Sequence, residues 1–454
     1  MSDDLFGPIF IPDELREAVG DRAWLQAMLD AEAALAAAQA AAGVISSSDA
    51  EAIRSRCEAE RFDAAGLGYA ARAAGNPVVP LVKELTAGVA AVSEEAARQV
   101  HRGATSQDIT DTAAMLVAAR ALNRILSDLA ALAGHAARLA DEHRAALVAG
   151  RTLMQQALPV TFGLKAAGWL VAAIEARRSL SRVREHTLAA QLGGAAGTLA
   201  SLGEAGPAVL ANFARELGLR EPAVPWHATR GRIAELAGAL AVCAGCAEKI
   251  SADVILMSQT EVGEVAEPAG EGRGGSSTLP HKRNPILSVT AAADARRARS
   301  AAHTLQAAMD HEHERAAGAW HAEWRALSEA LAATGGAVAA MSEVLEGLEV
   351  NPDRMRANLD ATGGLILAEN VTTALTGELG RLEAHELVKA ACARVAQNGT
   401  TLKQELTSEP EIGRAISEEE LGAALDPANY LGSSEAFVER ALDLYREELG
   451  ALYD

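Results

Sequence analysis

Apolar residues recur at three- and four-residue spacing over several long stretches of the chain, the repeat of a helix that buries one face. Such stripes run over residues 112–148, 160–192, 232–261 and 285–348. Proline placement agrees with them. None occurs between Pro80 and Pro159, Pro159 and Pro207, Pro225 and Pro268, or Pro285 and Pro352, and proline breaks helix interiors. The gaps are filled with Ala, Leu, Glu and Arg, all strong helix formers. Pro285 suits the first turn of the last stripe, and Gly335-Gly336 is expected to kink or break it. No stretch alternates β-branched residues, so little sheet is expected. The pattern predicts an all-α chain divided coarsely at 1–110, 111–352 and 353–454.

Between the stripes lie segments rich in Gly, Pro and Ser: 193–207, 217–229 and, longest, 263–285. Composition adds what the helices are packed with. Aromatics make up only 3% of the residues, so the core must be Ala, Leu and Val, and small side chains let long helices approach closely. The formal net charge of −20 argues against nucleic acid or an anionic membrane as partner, because both need a basic face. An anionic small substrate is still possible where Arg and Lys cluster locally. The acidic start, Met1 to Leu5, is unlike a secretory signal, and no run of about 20 apolar residues could span a membrane. With only four cysteines, the expected location is the cytoplasm. Cys243 and Cys246 form a CxxC, read as two small residues on an Ala-rich helix because no second ligand pair accompanies it.

The 263–285 segment carries the candidate chemistry. Gly272, Gly274 and Gly275 precede Ser276 and Ser277, and Lys282, Arg283 and Asn284 follow. Glycines allow successive backbone N–H groups to converge on an anion. A hydroxyl, backbone donors and a fixed cation are what carbanion chemistry beside a carboxylate needs, since the doubly charged aci-carboxylate must be held. A solvated Gly/Ser linker is the alternative reading, but Pro280 and Pro285 stiffen this one.

Gly275-Ser-Ser-Thr-Leu-Pro-His-Lys-Arg-Asn-Pro285 resembles the signature loop of the fumarase/aspartase superfamily, with Leu279 in place of the usual Met. That resemblance implies Ser276 as the acid/base acting as an alkoxide, with Lys282 tuning it, and Ser277 and Asn284 beside the substrate; Lys282 and Asn284 would bind a carboxylate. Gly103 to Thr112 resembles the first signature region, which implies Thr105, Ser106 and Gln107 as binding residues, while Asp108 and Asp111 suit the start of the following helix. His101, just upstream, is either a pocket residue or a partly buried structural histidine. Gly150 to Pro159 resembles the second region. There Met154 stands where many relatives have a proton-carrying His, and Gln155 is a plausible carboxylate donor. Residues 74–82 and 313–324 resemble the bacterial carboxymuconate cycloisomerase branch, with Arg315 as a cation for a carboxylate. Trp320, His321 and Trp324 in that stretch are read as core, interface or pocket alike. Residues 364–442 resemble the C-terminal domain of adenylosuccinate lyases; Gly432-Ser-Ser434 there lacks the following Lys and Asn and reads as a loop or helix start.

The resemblance implies a long-helix bundle flanked by small helical N- and C-terminal domains. It implies a homotetramer whose active sites are each built from three subunits. It implies lactonisation of a tricarboxylate, 3-carboxy-cis,cis-muconate, without cofactor or metal. His311 and His313, with Glu312 and Glu314, lack metalloprotease spacing and read as a solvated or packed helix face. A same-fold lyase that releases an amine or other nitrogen group from a substituted succinate would share the serine loop and is separated only by fumarate formation. A non-catalytic helical scaffold and a CxxC redox protein are the remaining readings.

Overall fold

The computed structural model describes residues 5–268, 274, 275, 279 and 281–450. They are overwhelmingly helical. The long helices are α1 (Asp21–Ala41), α2 (Ser106–Glu142), α3 (Phe162–His186), α4 (Gly231–Met257), α5 (Ile286–Ala307) and α6 (Ala319–Glu346). Four short strands join them: β1 (Leu147–Thr152), β2 (Gln155–Thr161), β3 (Val265–Ala266) and β4 (Glu349–Val350). Alanine fills the interior as the composition requires: Ala113, Ala121, Ala237, Ala247, Ala330 and Ala337 are all fully buried.

The chain divides into two compact units. One comprises Met1–Leu129, Glu175–Lys249 and Thr290–Ala340; the other comprises Ala130–Ile174, Ile250–Val289 and Met341–Asp454. In the first, α1 packs against the helices Ser47–Arg54 and Gly206–Glu216. In the second, the helix Pro352–Asp360 packs on β1, and β3 pairs antiparallel with β4 at the root of the long loop. The C-terminal helices Ala368–Leu379 and Arg381–Asn398 pack together over Val371, Leu375, Val388 and Ala391, with Leu402 and Leu406 closing that core.

Two expectations need correction. First, Gly335-Gly336 breaks nothing: α6 runs through both. A side chain at Gly335 would place Cβ 2.2 Å from Leu15 Cδ2, and one at Gly336 would place it 2.7 Å from the Phe10 carbonyl oxygen. The glycines therefore admit the N-terminal segment against the helix. Second, the predicted helix over 285–348 is two helices, α5 and α6, separated by residues 308–318. His311 to Glu314 lie in that irregular segment and not on a helix face, with His313 at φ 49° and Gly318 at φ 126°. The run Asp310-His-Glu-His-Glu-Arg315 has no apolar position with which to continue the buried stripe. The second signature region, for which the sequence predicts no element, is a β-hairpin. Its turn is Leu153-Met154, both left-handed at φ 49° and 68°, in a two-residue turn that ordinarily selects Asn-Gly.

Candidate active site

In the first unit the predicted binding residues Thr105, Ser106 and Gln107 lie at the start of α2. Thr105 precedes the helix and Asp108 sits three residues on, a Ser/Thr-x-x-acid start signal. The Asp108 carboxylate accepts the Thr105 N–H at 2.9 Å and reaches back to the 193–207 linker, taking the Gly193 and Gly194 N–H groups at 2.9 Å each. His227 Nε2 completes its shell at 2.6 Å. Only glycine fits at 193, because a Cβ would stand 2.8 Å from His227 Cε1. Thr105 and Ser106 are left half-buried at this turn, while Gln107 is fully buried.

One helical turn further, Asp111 holds Arg230, which is almost fully buried. Arg230 donates Nη1 to Asp111 Oδ2 at 2.7 Å and Nη2 to Oδ1 at 3.1 Å, and it pairs with both oxygens of Glu323, Nε to Oε1 at 3.0 Å. Burial works against its charge, but Asp111 and Glu323 outweigh burial and hold the guanidinium protonated. Trp320 Nε1 donates to Asp111 Oδ1 at 3.0 Å and stacks edge-on with Trp324, so Trp320 belongs to the framework beneath the site.

Two predicted site residues meet here: Arg315 Nε donates to Gln107 Oε1 at 3.1 Å. Arg315 Nη2 donates to the Ala195 carbonyl at 3.1 Å. His101 is left-handed at φ 59°, and its Nδ1 lies 2.6 Å from Glu32 Oε1, a buried carboxylate of α1. Burial opposes the imidazolium and Glu32 outweighs it, so the His101 pKa is raised.

In the second unit, Gln155 is exposed at the start of β2 and Met154 is exposed at the hairpin tip. Arg151 of β1 makes a bidentate pair with the fully buried Glu264, at 2.9 and 2.7 Å, and Asn358 donates to the same carboxylate at 2.9 Å. This ties the hairpin to the start of the signature loop. The loop's far end closes on Gly274: the Asn284 N–H and side-chain amide both reach the Gly274 carbonyl, at 2.9 and 3.0 Å. Gly274 is at φ 62°, with an added Cβ 2.6 Å from the Asn284 carbonyl oxygen, so no other residue fits. Glu267 accepts the first N–H groups of α5 at Leu287 and Ser288. Lys282 is exposed. A cavity of about 590 Å³ opens beside these residues, lined among others by Glu267, Arg283, Asn284, Glu349 and Asn351. Ser276 and Ser277 lie outside the described residues.

A family profile described as "Lyase" matches residues 11–300, and one described as "Adenylosuccinate lyase C-terminus" matches residues 364–441. The chain belongs to this lyase family. A 3-carboxy-cis,cis-muconate cycloisomerase from Bradyrhizobium diazoefficiens is 48% identical over 97% of this chain and 97% of the relative. A nitrosuccinate lyase from Streptomyces davaonensis is 46% identical over 96% of this chain and 94% of the relative. The crystal structure of 3-carboxy-cis,cis-muconate lactonizing enzyme from Pseudomonas putida matches with a TM-score of 0.94 at 43% identity, covering 98% of this chain and 99% of that one. The all-α expectation and the resemblance to the fumarase/aspartase-type lyases hold. No described helix is long and apolar enough to cross a membrane.

Sequence reading of this lyase missed the inner framework: Glu32, His227, Arg230, Glu323, Arg151 and Glu264. The one available cue was charge out of place, such as Arg230 just before the apolar α4. Cys243 and Cys246 are buried free thiols on α4, as read, and burial pushes Cys246 up to about 12.

Proposed function

We propose that this lyase lactonises 3-carboxy-cis,cis-muconate to 4-carboxymuconolactone. A carboxylate oxygen of the substrate adds across a double bond, forming the ring C–O bond. The electron pair displaced toward the carbon α to another carboxylate is met by a proton there. Ser276 supplies that proton, and Lys282 with the glycine-rich backbone holds the intermediate's doubled charge. Thr105, Ser106, Gln155, Asn284, Arg315 and His101 receive the three carboxylates of the substrate. In the assembled enzyme, a homotetramer located in the cytoplasm, each site takes its signature regions from three subunits. The divisions at 1–110, 111–352 and 353–454 separate the helical bundle from its two smaller domains.

What carries the reading is Arg315. In a chain of net charge −20, this guanidinium is anchored on Gln107, next in sequence to Thr105 and Ser106, with donors left over for an anion among the described residues. The full-length likeness to cycloisomerases supports the choice of substrate. So does Met154, which cannot carry the proton that a histidine there would. A second reading, elimination of a nitrogen group from a substituted succinate, is favoured by the likeness to the nitrosuccinate lyase.

Ultraviolet absorbance separates them. Purified protein with 3-carboxy-cis,cis-muconate should abolish the conjugated-diene band and give a lactone. An unchanged spectrum, together with fumarate release from nitrosuccinate, would overturn the first reading in favour of the second.

A further inference from the structure

We infer that Gln107 is a positioning residue for Arg315: it fixes the rotation of the guanidinium so that one edge alone remains for a substrate carboxylate. The inference rests on Arg315 being a carboxylate-binding group. Gln107 itself is fully buried and its amide is fully used. Its Nε2 donates to Asp111 Oδ2 at 3.1 Å and to the His227 carbonyl at 2.9 Å. Both partners only accept, so a flipped amide would set Oε1 against two acceptors. Neither partner can turn aside. Asp111 is clamped by Arg230 and Trp320, and the His227 side chain is tied to Asp108. The buried network therefore forces Gln107 Oε1 to face outward, where it takes the Arg315 Nε–H.

The consequence is read from the guanidinium. Of its five N–H groups, Nε–H goes to Gln107 and one Nη2–H to the Ala195 carbonyl. The side-on edge is filled, and among the described residues the Nη1/Nη2 end is the edge available for a bidentate carboxylate. Arg315 needs such an anchor because it stands on the irregular 308–318 segment, between left-handed His313 and Gly318. The same segment is docked once more on this hub, by His311 Nδ1 at 3.2 Å from the His227 carbonyl.

A double-mutant cycle tests it with Gln107→Ala, Arg315→Ala and the pair, and Arg315→Lys alongside. Steady-state rates on 3-carboxy-cis,cis-muconate and calorimetric binding of tricarballylate, an unreactive tricarboxylate, are both measured. Gln107→Ala should raise KM and the tricarballylate Kd about tenfold, the scale of one charge-assisted hydrogen bond, with kcat within about threefold of the parent. On the Arg315→Ala background it should add less than about twofold, because nothing is left to orient. Arg315→Lys should resemble Arg315→Ala, since an ammonium keeps the charge but cannot be held through Nε. Should Gln107→Ala fail to fold, the lysine variant decides alone, and parent-like KM and Kd in it overturn the inference. Multiplicative losses in the cycle overturn it as well. If the parent binds tricarballylate with the coupling described but does not lactonise the muconate, the inference stands and the proposed substrate falls. Neither binding nor turnover defeats both.

Discussion

Asp294 of α5 is 1% exposed, and only one of its oxygens is used. Oδ1 accepts from Arg297 at 3.0 Å, while Oδ2 is buried without a hydrogen-bond partner among the described residues. It lies against Gly336: a Cβ at 336 would be 2.7 Å from Oδ2. Burial is the main reason its pKa is pushed up to about 7; Arg297 draws it down and Glu329 pushes it up again. The sign follows from linkage. Between the ordinary carboxyl value of about 4 and about 7, the native state binds a proton that the unfolded chain has released, so this carboxyl's contribution falls as pH rises and levels off above about 7. At about 1.4 kcal/mol per pH unit, burying this carboxyl costs the native state on the order of 4 kcal/mol at pH 8, where it is ionised, and on the order of 2 kcal/mol at pH 5, where it holds its proton. Asp294→Asn keeps the shape and removes the ionisation. The variant should therefore exceed the parent in stability by an amount that grows by about 2–3 kcal/mol from pH 5 to pH 8. Urea denaturation midpoints of parent and variant at the two pH values measure the difference, and other titrating groups cancel in it. An equal difference at both pH values, or a variant weaker at pH 8, refutes the reasoning.

Gly335→Ala should destabilise by about 1–2 kcal/mol even though alanine is the better helix former, because its Cβ would fall 2.2 Å from Leu15 Cδ2; a raised melting midpoint would contradict the packing described. Ser276→Ala should lower turnover by about a thousandfold with unchanged sedimentation, the scale of a lost acid/base group. Near-parental turnover would remove Ser276 from its proposed role.

The long helices were legible because their chemistry is periodic: an apolar stripe and the absence of proline mark α2, α3, α4 and the α5–α6 stretch whatever packs on them, although not the break at 308–318. The signature loop was legible for a different reason, a run of eleven residues too unusual to arise from composition. At two places contacts beyond the residues themselves overrule local propensity. At Gly335-Gly336 local propensity predicts a break, and what decides is the approach of Leu15 and Phe10, more than 300 residues away in sequence. At Leu153-Met154 neither residue prefers a left-handed turn, yet the strand pairing from Leu147↔Thr161 to Thr152↔Gln155 imposes one. Gln107 was legible as a polar residue in a signature region, but its inward orientation depends on Asp111 and His227, and the latter arrives from 120 residues downstream.

The acidity of the chain takes on a different meaning once its carboxylates are placed. Glu32, Asp108, Asp111 and Glu264 are all buried, where a charge without partners would be prohibitive. Each is instead paired with groups of the framework around the proposed binding residues. Glu32 holds His101, Asp108 gathers the Gly193 and Gly194 amides with His227, Asp111 fixes Arg230 and Gln107, and Glu264 anchors the hairpin through Arg151. A buried ion pair contributes little net stability compared with apolar packing of the same volume, yet removing one partner is expensive. That asymmetry suits positioning: the paired geometry gains little over an apolar core but resists displacement. An enzyme acting on a polyanion needs its binding groups fixed before the substrate arrives, and in this chain buried carboxylates fix His101 directly and, through Asp111, the Gln107 amide that takes Arg315.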